Sequence, residues 1–297
     1  MEYKNLIEEI NNRTGVVTNT DIDGVLSAAL LCRLFPHLNI VGFTNSDNNI
    51  FLSENFKKET LIYLDIFMCD KDVLSIDNHI VDSKLYPIDN PLKINPNLFH
   101  NVYYENYTDK YPFSTFIFLL SLFNTNMFEL DIDVEIGKTA KGEVVFLWEL
   151  LLRADDTLLN TYKFKRNTSN WWPRLLNNSN NPLLHSLYNK VCEVKDINNA
   201  LAIKEKVQRF LLETFSIKKD GFKNMEDFNL EGFFKFFSSL MGYKSPLPKL
   251  DKKYFLKSEK KHVSELEGLK TKYNIKTLAI IDKNTVSFSY IDKKSLK

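Results

Sequence analysis

The chain has little cysteine and little glycine, and it has no long apolar run. Its three cysteines, Cys32, Cys69 and Cys192, stand far apart among 297 residues, odd in number and without a CxxC pair. That spacing excludes a disulfide framework and a zinc ribbon, and a reducing cytoplasm is the expected compartment. Nine glycines include no Gly-Gly pair. Gly137-Lys138-Thr139 hints at a phosphate loop, but Ile132 stands at the first glycine position of GxxxxGK[ST], so that motif is set aside. No stretch approaches the ~18 apolar residues of a membrane-spanning helix. The polar, acidic start MEYKNLIEEINNRTG is not that of a secretory signal. No membrane partner is expected.

What is present is a normal globular composition with an uneven charge. The hydrophobic fraction is 44% and the charged fraction 26%, enough for one large core or two ordinary ones. The net charge of +1 conceals an asymmetry. Residues 1–160 carry 12 Lys and Arg against 24 Asp and Glu, whereas residues 161–297 carry 27 against 14. An acidic half suits metal binding, and a basic half suits phosphate-rich partners. The same pattern also suits two halves that attract each other in the fold, or an oligomer contact.

Apolar runs alternate with helical patterns over the first 80 residues. Gly15–Asn19, Asn39–Thr44, Leu61–Ile66 and Val73–Ile76 read as strands, and Val25–Phe35 reads as a helix. Continuous apolar strands between helices predict an α/β fold with a parallel sheet covered on both faces. In such sheets ligands bind at the carboxyl ends of the strands. Further on, 112–123, 144–153, 203–215, 230–243 and a stretch near 259–273 read as helices. Residues 163–181 read as irregular, and 276–281 with 286–291 as a terminal hairpin. The expected division is residues 1–160, then a basic, mostly helical region 161–297 with a small C-terminal β element.

The acidic residues fall at informative places. Asp21 and Asp23 open TDIDGVLSAALL directly after the first strand; Asp65 and Asp77 end two later strands; His79 follows Asp77. Asp-x-Asp-Gly at a strand-to-helix turn aims two carboxylates at one point, and divalent metal is the commonest reason to do so. RADDT supplies Asp155, or alternatively Asp156, after a helix. Separately, KFKRNTSNWWPR places Lys163, Lys165, Arg166 and Arg174 around Trp171 and Trp172. That mixture can hold a phosphate backbone and stack bases, or the two indoles can anchor the loop in a core.

In order and spacing, TDIDGVLSAALL, LIYLDI and SIDNH resemble the first three motifs of the DHH phosphoesterase superfamily. RADDT resembles the fourth, and NPNLF fits the segment after the third. The resemblance covers about residues 10–165. It implies a DHH-like sheet domain and a two-metal centre of manganese or magnesium. Asp21, Asp23, Asp65, Asn78 and Asp155 would be the ligands, and Asp77 and His79 would be catalytic, His79 contacting the scissile phosphate. The activity implied is hydrolysis of phosphodiester bonds in single-stranded nucleic acid or short oligonucleotides. The chain departs from the pattern at Asn78, where the family has histidine, and at Asn19, where RecJ-like members have aspartate. The family's GGGH segment is missing too. These departures carry the alternative: a catalytically degenerate subunit that binds nucleic acid or assembles with a protein partner.

Overall fold

The computed structural model describes residues 3–45, 49–53, 56–83, 88–123, 158–159, 161, 165–177, 179, 181–194, 196–218, 227–254 and 257–291. The chain forms two compact units that are not consecutive halves. The first comprises Met1–Thr20, Phe35–Lys110 and Leu247–Lys297, and the second Asp21–Leu34 and Tyr111–Pro246. The C-terminal residues therefore return to the first unit, which differs from the expected division near residue 160. Counted by unit, the charge asymmetry vanishes. The first unit holds 21 Lys and Arg against 20 Asp and Glu, and the second 18 against 18. The basic C-terminal stretch shares a unit with the acidic segment 35–110, so the polarity along the chain is not a polarity between units.

The first unit is built on a mixed seven-stranded sheet among the described residues. Its strands are β1 (Gly15–Asn19), β2 (Ile40–Thr44), β3 (Ile50–Leu52), β4 (Leu61–Leu64), β5 (Leu74–Ile76), β6 (Lys93–Ile94) and β7 (Lys252–Tyr254), in the order β6-β5-β4-β1-β2-β3-β7. The pairings from β6 through β2 are parallel, and β3 and β7 join antiparallel at one edge. The parallel α/β expectation holds for this central part. Strands β2 and β4 are buried along their whole length, as continuous apolar runs in a covered sheet require. Val17, Val41, Leu61, Tyr63 and Val73 join one cluster with Ile50, Leu52, Ile66 and Met68. Gly42 is fixed by close approach: a Cβ there would lie 2.6 Å from the Phe51 carbonyl oxygen of β3.

A second, three-stranded antiparallel sheet belongs to the same unit. It contains β8 (Lys257–His262), β9 (Asn274–Ile280) and β10 (Thr285–Ile291), in the order β8-β10-β9. The terminal hairpin is as expected, but the helix expected near 259–273 is not. Residues 257–262 pair with β10 as a strand, Val263–Glu265 form a 3-10 turn, and Leu266–Lys272 is the α-helical part.

The second unit is helical where described. After α1 (Tyr3–Asn11) of the first unit, helix α2 (Ile22–Leu34) of the second is buried from Ile22 to Cys32 and packs against α4 (Thr115–Leu122) and α8 (Leu230–Leu240). Burial drives the Cys32 thiol pKa far up, which leaves it an inert core group. Helix α5 (Lys165–Leu176) differs from the expectation of irregular chain over 163–181, and α6 (Pro182–Glu193) follows in a stretch for which no element is expected. The second had a start signal, Asn181 capping Leu183 and Leu184 with Pro182 in the first turn. Helix α7 (Ile197–Phe215) precedes α8, and Phe215, Phe233 and Phe237 meet in a ring cluster between them. The 144–153 helix lies outside the described residues.

Candidate metal centre

The parallel strands of the first unit end in one row of polar side chains. Asn19 of β1 pairs in register with Thr44 of β2. Thr18 pairs with Leu64, Leu64 with Ile76, and Ile76 with Ile94, so the next step along each strand gives Asn19, Asp65, Asp77 and Asn95. Across β2, β1, β4, β5 and β6 the row reads Thr44, Asn19, Asp65, Asp77, Asn95. The chain goes from β1 to β2 on one side and later to β4 on the other, so Asn19 and Asp65 flank a topological switch point. That is where open parallel sheets bind ligands.

Hydrogen bonds link most of the row. Thr44 Oγ1 donates to Asn19 Oδ1. Asn19 Nδ2 donates to the Asp65 carbonyl at 2.6 Å and to Asp65 Oδ2 at 2.9 Å. Asp65 sits at φ 57°, a left-handed conformation that Asp and Asn tolerate better than other side chains. Its N–H donates to the Ile76 carbonyl at 2.9 Å, locking that turn onto β5. At the other end, Asn95 Nδ2 donates to the His79 carbonyl at 2.7 Å and reaches Asp77 Oδ2 at 3.5 Å. His79 returns to Asp77 twice, N–H to Oδ2 at 3.0 Å and Nδ1 to Oδ1 at 2.7 Å. Nδ1 next to a carboxylate is assigned the proton, which leaves the lone pair on Nε2.

The centre of the row has a different character. Asp65 and Asp77 are 3% and 0% exposed, and their oxygens and a His79 nitrogen lie within 4.8 Å of one another. Two buried carboxylates side by side repel, and this cluster could hold a metal ion that would offset the repulsion. The His79 side chain, 36% exposed, is the member most open to solvent. Two carboxylate oxygens plus one imidazole nitrogen are a donor set that could hold a divalent cation.

The other expected site residues are placed as follows. Asp21 and Asp23 belong to the second unit. Asp21 Oδ1 accepts the Gly24 N–H at 2.8 Å and caps α2. Asp23, fully buried, takes Ser27 Oγ and the Phe116 N–H on Oδ1, at 3.0 and 2.7 Å, and the Thr115 N–H on Oδ2 at 2.8 Å. Its charge thus sits on the first turn of α4, at the positive end of that helix. Nearby, burial first and the Asp23 charge second push the Tyr111 hydroxyl pKa well up. Asn78 offers its carbonyl to Asn97 Nδ2 at 2.8 Å. Asp155 and Lys163 lie outside the described residues.

The base-stacking expectation for Trp171 and Trp172 is corrected. They are 2% and 5% exposed. Trp171 meets Tyr111 edge-on, centroids 5.1 Å apart, and Trp172 packs on Phe113 at 4.5 Å and Tyr188 at 5.2 Å. Rings enclosed on their faces have no surface left for a base. Arg174 lies over the Trp171 ring at 4.9 Å, and Lys165 and Arg166 lie in the first turn of α5.

Sequence reasoning missed Asn95, Asn97 and Thr44 as members of the site. Asn95-Pro96 was a usable signal: Asn95 caps the short α3 (Pro96–Phe99) through the Asn97 N–H while its amide holds the His79 loop. Asn19 was noted only as a missing aspartate, yet here it is a donor. Asn19→Asp is expected to destabilise the metal-free protein by about 1–3 kcal/mol, since a donor becomes a third carboxylate. It should also enlarge the rise in melting temperature produced by manganese. Unchanged stability without metal would contradict the donor role.

No protein-family profile matches this chain, and no curated protein matches its sequence.

Proposed function

We propose that the chain is a divalent-metal-dependent phosphodiesterase of DHH type, acting on single-stranded nucleic acid or short oligonucleotides. The supporting observation is the meeting of Asp65, Asp77 and His79 at the carboxyl ends of parallel strands, beside a switch point. Asp65 and Asp77 would hold the cation, with His79 beside them. A cation bound there supplies an acidified water and neutralises charge developing on phosphorus. Asp77 fixes the His79 tautomer and ring orientation through the 2.7 Å bond to Nδ1. His79 Nε2, once protonated, suits contact with a phosphate oxygen or proton delivery to a leaving oxygen. Asn19 and Asn95 hold the two carboxylates from either side.

A second reading is a degenerate subunit that binds without turnover. It is favoured by Asp23, whose two oxygens already accept three donors within the second unit. Asn78 in place of histidine points the same way. The balanced charge of each unit also removes the electrostatic argument that one basic region gathers nucleic acid. Incubation with short single-stranded oligonucleotides and manganese separates the two. Cleavage that stops with chelator is the expected result. Metal binding without cleavage across DNA and RNA oligonucleotides would favour the degenerate subunit.

A further inference from the structure

The carboxylate-bearing turns leave β4 and β5, strands of four and three residues, and run beyond their own ladder. Another element takes up their main-chain groups. In the order β8-β10-β9, one side of β9 faces away from β10. On that side the Cys69 N–H donates to the Lys276 carbonyl at 2.8 Å, and the Leu278 N–H to the Phe67 carbonyl at 3.3 Å. The Ile280 N–H donates to the Ile80 carbonyl at 2.8 Å. Met68 bridges to Thr277, and Ile80 to Ile280. Phe67–Cys69 follow Asp65 within four residues, and Ile80 adjoins His79. Lys276 Nζ adds an ion pair with Asp70 at 2.8 Å, the two side chains 12% and 23% exposed. One strand, distant in sequence, thus holds both turns.

We propose that β9 is a positioning element of the metal centre: by pairing with both turns it fixes the spacing of Asp65, Asp77 and His79. This rests on the metal-centre reading. Main-chain groups hold each turn, so the spacing is set whichever side chains occupy positions 67–69. An orienting shell of this kind commonly governs metal affinity by about 10–100-fold.

Ile280→Pro tests it in the full chain, because the lost N–H faces Ile80 rather than β10, so the substitution removes a bond to the turn and none to β10. Lys276→Ala, which removes only the ion pair, is the milder companion. Hydrogen exchange at the Cys69 and Leu278 amides and manganese affinity are read on each protein. The expected result for Ile280→Pro is faster exchange at both amides and manganese binding weakened about tenfold or more. Hydrolysis should recover at saturating manganese. Lys276→Ala should shift both readouts in the same direction by less. Faster exchange with unchanged manganese affinity would overturn the positioning role, and unchanged exchange in folded Ile280→Pro would overturn the clasp itself. If the unaltered protein binds no manganese, the metal-centre reading falls and the positioning role with it, while the exchange data still report the clasp.

Discussion

Asp65→Asn is expected to abolish hydrolysis, by about a thousandfold or more, and to leave the fold intact. The metal ligand is lost, and several kcal/mol of transition-state stabilisation go with it; each ~1.4 kcal/mol is tenfold in rate. The backbone does not object, because Asn is among the few residues at ease at φ 57°. The amide oxygen can still accept from Asn19 Nδ2, as Oδ2 does at 2.9 Å. Without metal the variant should match or exceed the original in stability, since one of two adjacent buried carboxylates is gone. Lower activity with raised stability is the signature of a functional cluster. Denaturant unfolding of both proteins in chelator, beside an oligonucleotide assay in manganese, reads both effects. Retained manganese-dependent cleavage would remove Asp65 from the mechanism.

Asp23→Ala should have the largest effect on folding. The carboxylate is fully buried and satisfies the Thr115 and Phe116 N–H groups of the first turn of α4, together with Ser27. Removing it leaves the buried first-turn donors without their acceptor, while Ser114 still caps the helix at the Ile117 N–H, a loss of about 3–5 kcal/mol. Asp23→Asn should cost less, about 1–3 kcal/mol, because an amide N–H₂ would oppose one of the main-chain donors. The denaturation midpoint of each variant checks this. An Asp23→Ala protein within 0.5 kcal/mol of the original, set against ordinary surface changes, would show that α4 does not depend on this charge.

The sheet was legible because Val16-Val17, Leu61–Leu64 and Leu74–Ile76 are short apolar runs that end in polar residues. Such runs pair in parallel sheets whatever follows them. Asp65 and Asp77 were legible for the same reason, each marking a strand end, and His79 by its place just after Asp77. The short outer strands β3, β6 and β7, of two or three residues, carry too little pattern to be seen. The return of residues 247–297 to the first unit was hidden because it rests on main-chain pairing of β7 and β9, which side-chain sequence does not encode. The Asp-x-Asp-Gly motif was read for its carboxylates. Asp21 caps α2 three residues on, a local signal, whereas Asp23 accepts from the first turn of α4, a contact that only the fold supplies. The tryptophan pair illustrates a true ambiguity: indoles among basic residues fit stacking or core, and burial decided for core.

The most direct test is titration calorimetry of manganese into the metal-free protein and into Asp65→Asn. The account predicts saturable binding that the substitution abolishes. No binding to the original protein, or equal binding to both, would contradict a metal centre at Asp65, Asp77 and His79.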